Sequence, residues 1–248
     1  MRFLFEISYL GTNYSGWQSQ LNATGIQEVV EKCLSTVLRQ KLTITGSGRT
    51  DTGVHCAQQF FHADIDKDFD KEKLITQLNS FLPPDIAIRS ISQIKPDASA
   101  RYDAVERGYE YVITRRKDPL RKDLAFYYFK DLDIKTMNKA AALLVGTHDF
   151  EAFSKVKTDV NHFICTIKEA VWNQKGDLLV FNITANRFLR GMVRAVVGTL
   201  LDTGTGKISL KAFQEILKSK DRKKAGMNVP AEGLFLMKVK YPKSIFID

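Results

Sequence analysis

Residues 2–9 set Phe3, Phe5 and Ile7 in alternation with Leu4, Glu6 and Ser8, and this two-residue period recurs along the whole chain. Alternation of that kind puts successive side chains on opposite faces of a strand. Further strand patterns fall at 41–47, 54–65, 86–94, 108–115, 163–173 and 177–185, and GLFLMKVKY supplies a last one. Five stretches read instead as helices: about 26–40, 70–82, 134–145, 187–202 and 210–219. In the first, Ile26, Val29, Val30, Cys33, Leu34, Val37 and Leu38 form one apolar face. Thr24 followed three residues later by Gln27 resembles a capping box, and Asp133 and Ser209 are the expected caps of later helices. Pro83-Pro84 stops the second helix. Strands and helices mix in both halves without regular β-α-β alternation, so the pattern predicts an α+β fold with largely antiparallel sheets.

The stretch KPDASARYDA at 95–104 reads as a linker. It divides the chain into an N-terminal domain, 1–105, and a C-terminal domain, 106–248. Charge is divided unevenly between them. Residues 1–105 carry 11 Lys and Arg against 12 Asp and Glu, whereas the remainder carries 26 against 16. A basic half points to a polyanionic partner, nucleic acid before membrane, since no amphipathic anchor is evident. No apolar run reaches the roughly 18 residues of a membrane span. The opening MRFLFEISYL meets Glu6 too early for a signal peptide, so a cytoplasmic protein is expected. Cys33, Cys56 and Cys165 are odd in number and form no CxxC, and the four histidines form no HExxH. Buried reduced thiols are the expectation, and no metal is.

Three segments carry chemistry. Gly46-Ser47-Gly48-Arg49-Thr50-Asp51-Thr52-Gly53-Val54-His55 has three glycines in eight residues between two strand patterns. Glycine lets backbone approach a ligand closely. Asp51 and Arg49 then share one loop, which by itself fits a hairpin turn as readily as a site. The second segment is RFLRGMVRAVVGTLLD. Read as one helix over 187–202, it places Arg187, Arg190 and Arg194 on a single face. Its other faces are apolar enough for burial, and a buried arginine needs an anionic partner, a carboxylate or an RNA phosphate. A solvated basic stripe is the plainer alternative. The third is Arg107-Gly108-Tyr109-Glu110-Tyr111, where Tyr109 and Tyr111 share a strand face. Tyrosine can stack on a base or accept a proton, though alternating tyrosines also occur as ordinary sheet residues. Gly204-Thr205-Gly206-Lys207-Ile208 lacks the spacing of a phosphate loop and reads as a helix end before the Ser209 cap.

Seven motifs in order resemble the tRNA pseudouridine synthase A family. They are GTNYSGWQSQ at 11–20, GSGRTDTGVH at 46–55, LPPDIAI at 82–88, SARYDAVERGYEY at 99–111, GTHDFEAF at 146–153, RFLRGMVRAVVGTL at 187–200 and AEGLFLMKVKY at 231–241. The resemblance implies the pseudouridine synthase fold: two ferredoxin-like, RRM-like halves sharing a continuous, largely antiparallel sheet with helices packed on it. It implies conversion of uridine to pseudouridine at positions 38, 39 and 40 of the tRNA anticodon arm, without a cofactor, by a homodimer. Residue by residue, it makes Asp51 the catalytic carboxylate and Arg49 the side chain that flips the target base and fills its place. Tyr109 becomes the residue against the target base, with a general-base role, and Arg194 the cation paired with Asp51. Arg187 and Arg190 are expected to contact RNA. Arg187, and Ala98 where an aromatic is frequent, depart from the family pattern and bear on site preference.

Two chemical routes are open to Asp51: attack on C1′, or removal of the C2′ proton. Both need an ionised carboxylate where water is excluded, which a neighbouring arginine favours. A stacked uridine must first leave the helix, at a cost of a few kcal/mol. Two rival readings are a catalytically silent RNA-binding protein of the same fold, and an unrelated hydrolase that uses Asp51 with a histidine.

Overall fold

Phe5 of the first strand and Phe61 of its neighbour lie opposite each other in register, with rings stacked 4.9 Å apart and 5° from parallel. Both are wholly buried, and each contributes roughly 1.5–3 kcal/mol by leaving water. Such pairs join strand β1 (Arg2–Tyr9) to β3 (His55–Asp64). The computed structural model describes residues 1–156 and 160–247.

Contacts divide the chain into two units, Met1–Val105 with the segment from Leu236 onward, and Glu106–Phe235. The sequence reading placed that last segment with the second half. The first unit runs β1, α1 (Ile26–Leu38), β2 (Thr45–Gly46), β3, α2 (Lys71–Phe81) and β4 (Ile86–Ile94). β1 pairs antiparallel with both β3 and β4, and short β2 pairs antiparallel with β3. The resulting β4-β1-β3-β2 order, two helices apart in sequence, is that of a ferredoxin-like half. Phe3, Phe5, Ile7 and Tyr9 are buried, as the alternation requires. Leu4 is buried as well, because a second apolar cluster of Leu4, Ile94, Ala98, Ala100 and Ile245 covers the opposite face. The stretch 95–104, expected as a linker, is therefore part of the packing. Ala100 N donates to His62 Nδ1 at 3.0 Å, and Tyr241 Oη donates to Ala100 O at 2.6 Å.

The second unit runs β5 (Glu106–Thr114), β6 (Phe126–Tyr127), α3 (Ile134–Ala142), β7 (Gly146–Asp149), β8 (Ile164–Lys175), β9 (Leu178–Ala185), α4 (Met192–Gly204) and α5 (Leu210–Ser219), before β10 (Leu234–Lys240). β5, β9, β8 and β7 pair antiparallel in that spatial order. Asp133 and Ser209 cap α3 and α5 through Thr136 N and Ala212 N. Gly176, at φ 60°, makes the tight turn between β8 and β9.

Three expectations fail locally. The capping box does not form: Gly25 is the N-cap of α1, with no side-chain cap bond. A Cβ there would lie 2.5 Å from Gln18 O, so only glycine fits the close pass. Gln27 instead bonds Gln18 and Glu31. The strand expected at 41–47 shrinks to Thr45–Gly46. The long helix expected at 187–202 begins only at Met192 and runs to Gly204. Its start is set by Gly191 at φ 71°, a left-handed conformation that a continuing helix does not allow.

All three cysteines are buried and unbridged. Burial pushes the Cys33 and Cys165 thiols up to about 11, so both are inert thiols at neutral pH.

Candidate active site

The glycine-rich segment 46–55 leaves β2, turns, and re-enters the sheet as β3. Much of its course is fixed by the 11–17 loop of the same unit. Trp17 N donates to Thr50 O (3.3 Å) and Gly53 N to Tyr14 O (3.2 Å), while within the segment Val54 N donates to Asp51 O (3.2 Å). A Cβ on Gly11 would lie 2.0 Å from Val54 O, and one on Gly16 2.3 Å from Thr50 O. Gly16 also sits at φ 85°. The two glycines of GTNYSGW are therefore where backbone lies on backbone, on either side of Asp51. The 11–17 loop is anchored in turn by Asp85, which follows Pro83-Pro84. Tyr14 Oη and Asn13 Nδ2 donate to its carboxylate at 2.6 and 3.2 Å, and Leu10 N to its carbonyl at 2.9 Å. Burial, with the Asp85 charge, pushes the Tyr14 phenol up, so it stays a neutral donor.

Buried polar groups complete the support. Tyr9 Oη lies 2.9 Å from both Thr50 Oγ1 and Gln59 Oε1, and Gln59 Nε2 donates to Gly48 O at 3.1 Å. Gly11 N donates to His55 Nδ1 at 3.0 Å. His55 is buried, and its Nδ1 is an acceptor toward backbone. That is the role of a structural imidazole, and it weakens the reading of a hydrolase base. On this scaffold Asp51 is half-buried and Arg49 exposed. The loop thus holds the carboxylate while leaving the guanidinium room to move.

In the second unit Tyr109 lies on β5 opposite Ile183 of β9. It is half-buried, and its ring meets Phe188 edge-on at 5.1 Å and 89°. Tyr111 is wholly buried, and its hydroxyl donates to Pro230 O at 2.8 Å. The two tyrosines of the motif therefore differ: Tyr111 is fixed in the core, whereas Tyr109 keeps a partly open ring.

Arg187, Arg190 and Arg194 do not share a helical face, because only Arg194 lies within α4. Arg187 and Arg190 belong to the connection between β9 and α4. Asn186 organises that connection: its Oδ1 accepts from Thr166 N and Arg187 N at 2.9 and 2.8 Å, and its carbonyl accepts Arg107 Nη1 at 3.0 Å. Arg187 Nη1 lies 3.3 Å from His162 Nε2. Arg190 is exposed, and its carbonyl accepts from Lys155 N at 2.9 Å. Arg194 is half-buried, with Nε donating to Val229 O at 2.7 Å.

Asp51 and Arg49 thus come together on one loop, while Tyr109, Arg187, Arg190 and Arg194 lie in the second unit. That unit carries 23 Lys and Arg against 15 Asp and Glu. Sequence reading missed Gln59 and Asn186, single polar residues with no repeating pattern. Among the described residues, no group of three or more His, Cys, Asp or Glu could hold a metal ion, and no helix is long and apolar enough to cross a membrane.

Comparison with known proteins agrees with the motifs. The tRNA pseudouridine synthase family matches residues 7–103 and 140–242. The chain belongs to that family. It is 47% identical to a tRNA pseudouridine synthase A of Porphyromonas gingivalis, over 99% of each chain. It is 43% identical to that of Bacteroides thetaiotaomicron, over 100% of this chain and 93% of the other. It is also 38% identical to that of Exiguobacterium sibiricum, over 98% of each.

Proposed function

We propose that this chain isomerises uridine to pseudouridine at positions 38, 39 and 40 of the anticodon arm of tRNA, with Asp51 as its catalytic carboxylate. Family membership supports the activity. The observation that carries the assignment of Asp51 is the loop around it, pinned on both sides by glycine contacts and backbone hydrogen bonds. A reacting carboxylate must be held to within a fraction of an ångström, and a loop so fixed can do that.

The reaction breaks N1–C1′, turns the uracil and joins C5 to C1′. The C5 proton is lost and N1 gains one, so composition and oxidation state do not change and no cofactor is required. Asp51 either bonds C1′ or removes the C2′ proton. Exposed Arg49 fills the space that the flipped uridine leaves. Tyr109 stacks on the uracil and accepts the C5 proton. Arg194 is the counter-ion of the carboxylate, by resemblance to the family motif. Arg187, Arg190 and the positive second unit contact phosphates, so binding weakens with salt. A homodimer and a cytoplasmic setting belong to the same proposal, and the homodimer rests on the resemblance alone.

The test is incubation with unmodified tRNA and detection of pseudouridine in the anticodon arm. Product is expected from the wild-type chain. Asp51→Asn should lower turnover by at least about 10³-fold, as removal of a reacting group does, while tRNA binding is kept. No product from any tRNA would sink the proposal. Loss of binding together with activity would return Asp51 to a structural role.

A further inference from the structure

Arg222 falls in none of the segments singled out by the sequence, yet it holds three acceptors. It projects from a closed turn just past α5. Asp221 N donates to Ser219 Oγ at 3.2 Å, Lys223 N to Asp221 Oδ1 at 2.9 Å, and Lys224 N to Asp221 O at 3.2 Å. From this fixed base Arg222 Nη1 donates to Ala225 O (3.3 Å) and Gly226 O (3.0 Å), and Nη2 donates to Asn228 Oδ1 (2.8 Å). Burial lowers the guanidinium's affinity for its proton, but an arginine in this setting stays charged at neutral pH.

The strap gathered by that fork lies directly on α4. Gly226 N donates to Thr199 Oγ1 at 2.9 Å. A Cβ on Gly198 would lie 1.9 Å from Met227 O, so the strap and the helix meet backbone to backbone. Val229, two residues on, closes the chain of contacts: its carbonyl accepts Arg194 Nε at 2.7 Å, and its N–H donates to Arg194 O at 3.3 Å.

We infer that Arg222 is a positioning residue for Arg194: its guanidinium fixes the 225–229 strap, and the strap's Val229 carbonyl fixes the Arg194 guanidinium. This rests on the reading of Arg194 as a member of the catalytic machinery. Arginine suits the task because a planar fork can hold two carbonyls and an amide at once, whereas lysine offers a compact charge on a flexible stem. The other role open to Arg222, suggested by exposed Lys223 and Lys224 beside it, is a contact to RNA phosphate. The two roles separate cleanly in kinetics.

Steady-state assays on Arg222→Lys, Arg194→Lys and the double variant decide between them. Arg222→Lys is expected to lower kcat by roughly 10-fold with KM and tRNA Kd unchanged, the effect of a small misplacement of a working group. The double variant should be no slower than Arg194→Lys alone. A weakened tRNA Kd with kcat unchanged makes Arg222 a phosphate contact and overturns the inference. So do independent, multiplying effects of the two substitutions when Arg194→Lys itself is impaired. Unchanged kcat in Arg194→Lys is a different failure, that of the reading of Arg194, and the inference falls with it. Should Arg222→Lys fail to fold, Asn228→Ala removes a single bond of the three. It should show a smaller drop in kcat that also vanishes in the Arg194→Lys background, and an additive drop would count against the inference.

Discussion

The loop at 46–55 and the connection at 186–194 both carry proposed site residues and bridge two regular elements, yet they are held differently. The first is held chiefly by close backbone approach, with Tyr9, Gln59 and His55 in support. Gly11 and Gly16 bring the 11–17 loop onto Val54 and Thr50 with no room for a single methyl group. The second also takes backbone bonds, from Lys155 N and Val229 N, but leans more on side chains: Asn186 at its start, and Asn228, itself held by Arg222, against Gly191. Backbone clamps are brittle, because neither partner can give way. Side-chain clamps are compliant, because a rotamer can. A carboxylate proposed to react needs the first kind, whereas Arg187 and Arg190, proposed to grip a flexible polyanion, can work with the second.

The largest test of this contrast is Gly16→Ala. The added Cβ would meet Thr50 O at 2.3 Å and also sit at φ 85°. The cost should be about 3 kcal/mol or more, because backbone must shift and a residue must adopt the left-handed region. Since Thr50 adjoins Asp51, kcat should fall on the order of 10²-fold in whatever fraction remains folded. Thermal unfolding and single-turnover assays measure the two losses. The matching change in the second unit, Gly191→Ala, should cost only about 1–2 kcal/mol, from the left-handed conformation. Its Cβ would meet the terminal amide of Asn228 at 3.2 Å, which can rotate away. Turnover should change by only a few-fold, an order of magnitude less than in Gly16→Ala. Equal losses in the two variants would erase the distinction between a backbone clamp and a side-chain clamp.

The same contrast explains what could be read in advance. Strand periods other than that at 41–47, and the caps at Asp133 and Ser209, are local patterns and hold in the structure. The loop at 46–55 was visible because backbone clamps leave glycines behind, and glycines cluster into motifs. The 187–191 connection was misread as helix because its apolar spacing continues smoothly into α4. Only Gly191 breaks it, and a lone glycine inside a helical pattern is easily passed over. Gln59, Asn186 and Arg222 left no trace, since their hydrogen bonds follow no period: Gln59 joins Tyr9 and Gly48, Asn186 joins Thr166, and Arg222 holds its own following strap at Ala225, Gly226 and Asn228. For the same reason 95–104 looked like a linker: Ala98 and Ala100 are small residues in a polar stretch, and their burial depends on Leu4 and Ile245 far away in sequence.

The smallest effect separates the two units by pH. His62 is buried in the first unit, with Nδ1 accepting Ala100 N, so the neutral ring is the one that fits. Burial first, and then the charge of Arg2, hold its pKa below the usual value of about 6.5, while Asp64 partly opposes them. As pH falls through about 6.5, the unfolded chain takes up a proton before the folded one does, so stability declines. The decline ends below the depressed pKa of the folded state, where both forms are protonated. The histidines of the second unit, His148 and His162, are more open. Hydrogen-exchange protection, corrected for the intrinsic rate at each pH, should therefore decline first in β1, β3 and the 95–104 stretch. His62→Gln keeps an acceptor for Ala100 N without a proton to gain, and it should flatten that decline while leaving the second unit as it was. A decline of equal size in both units, or one unchanged in His62→Gln, would remove His62 as its cause.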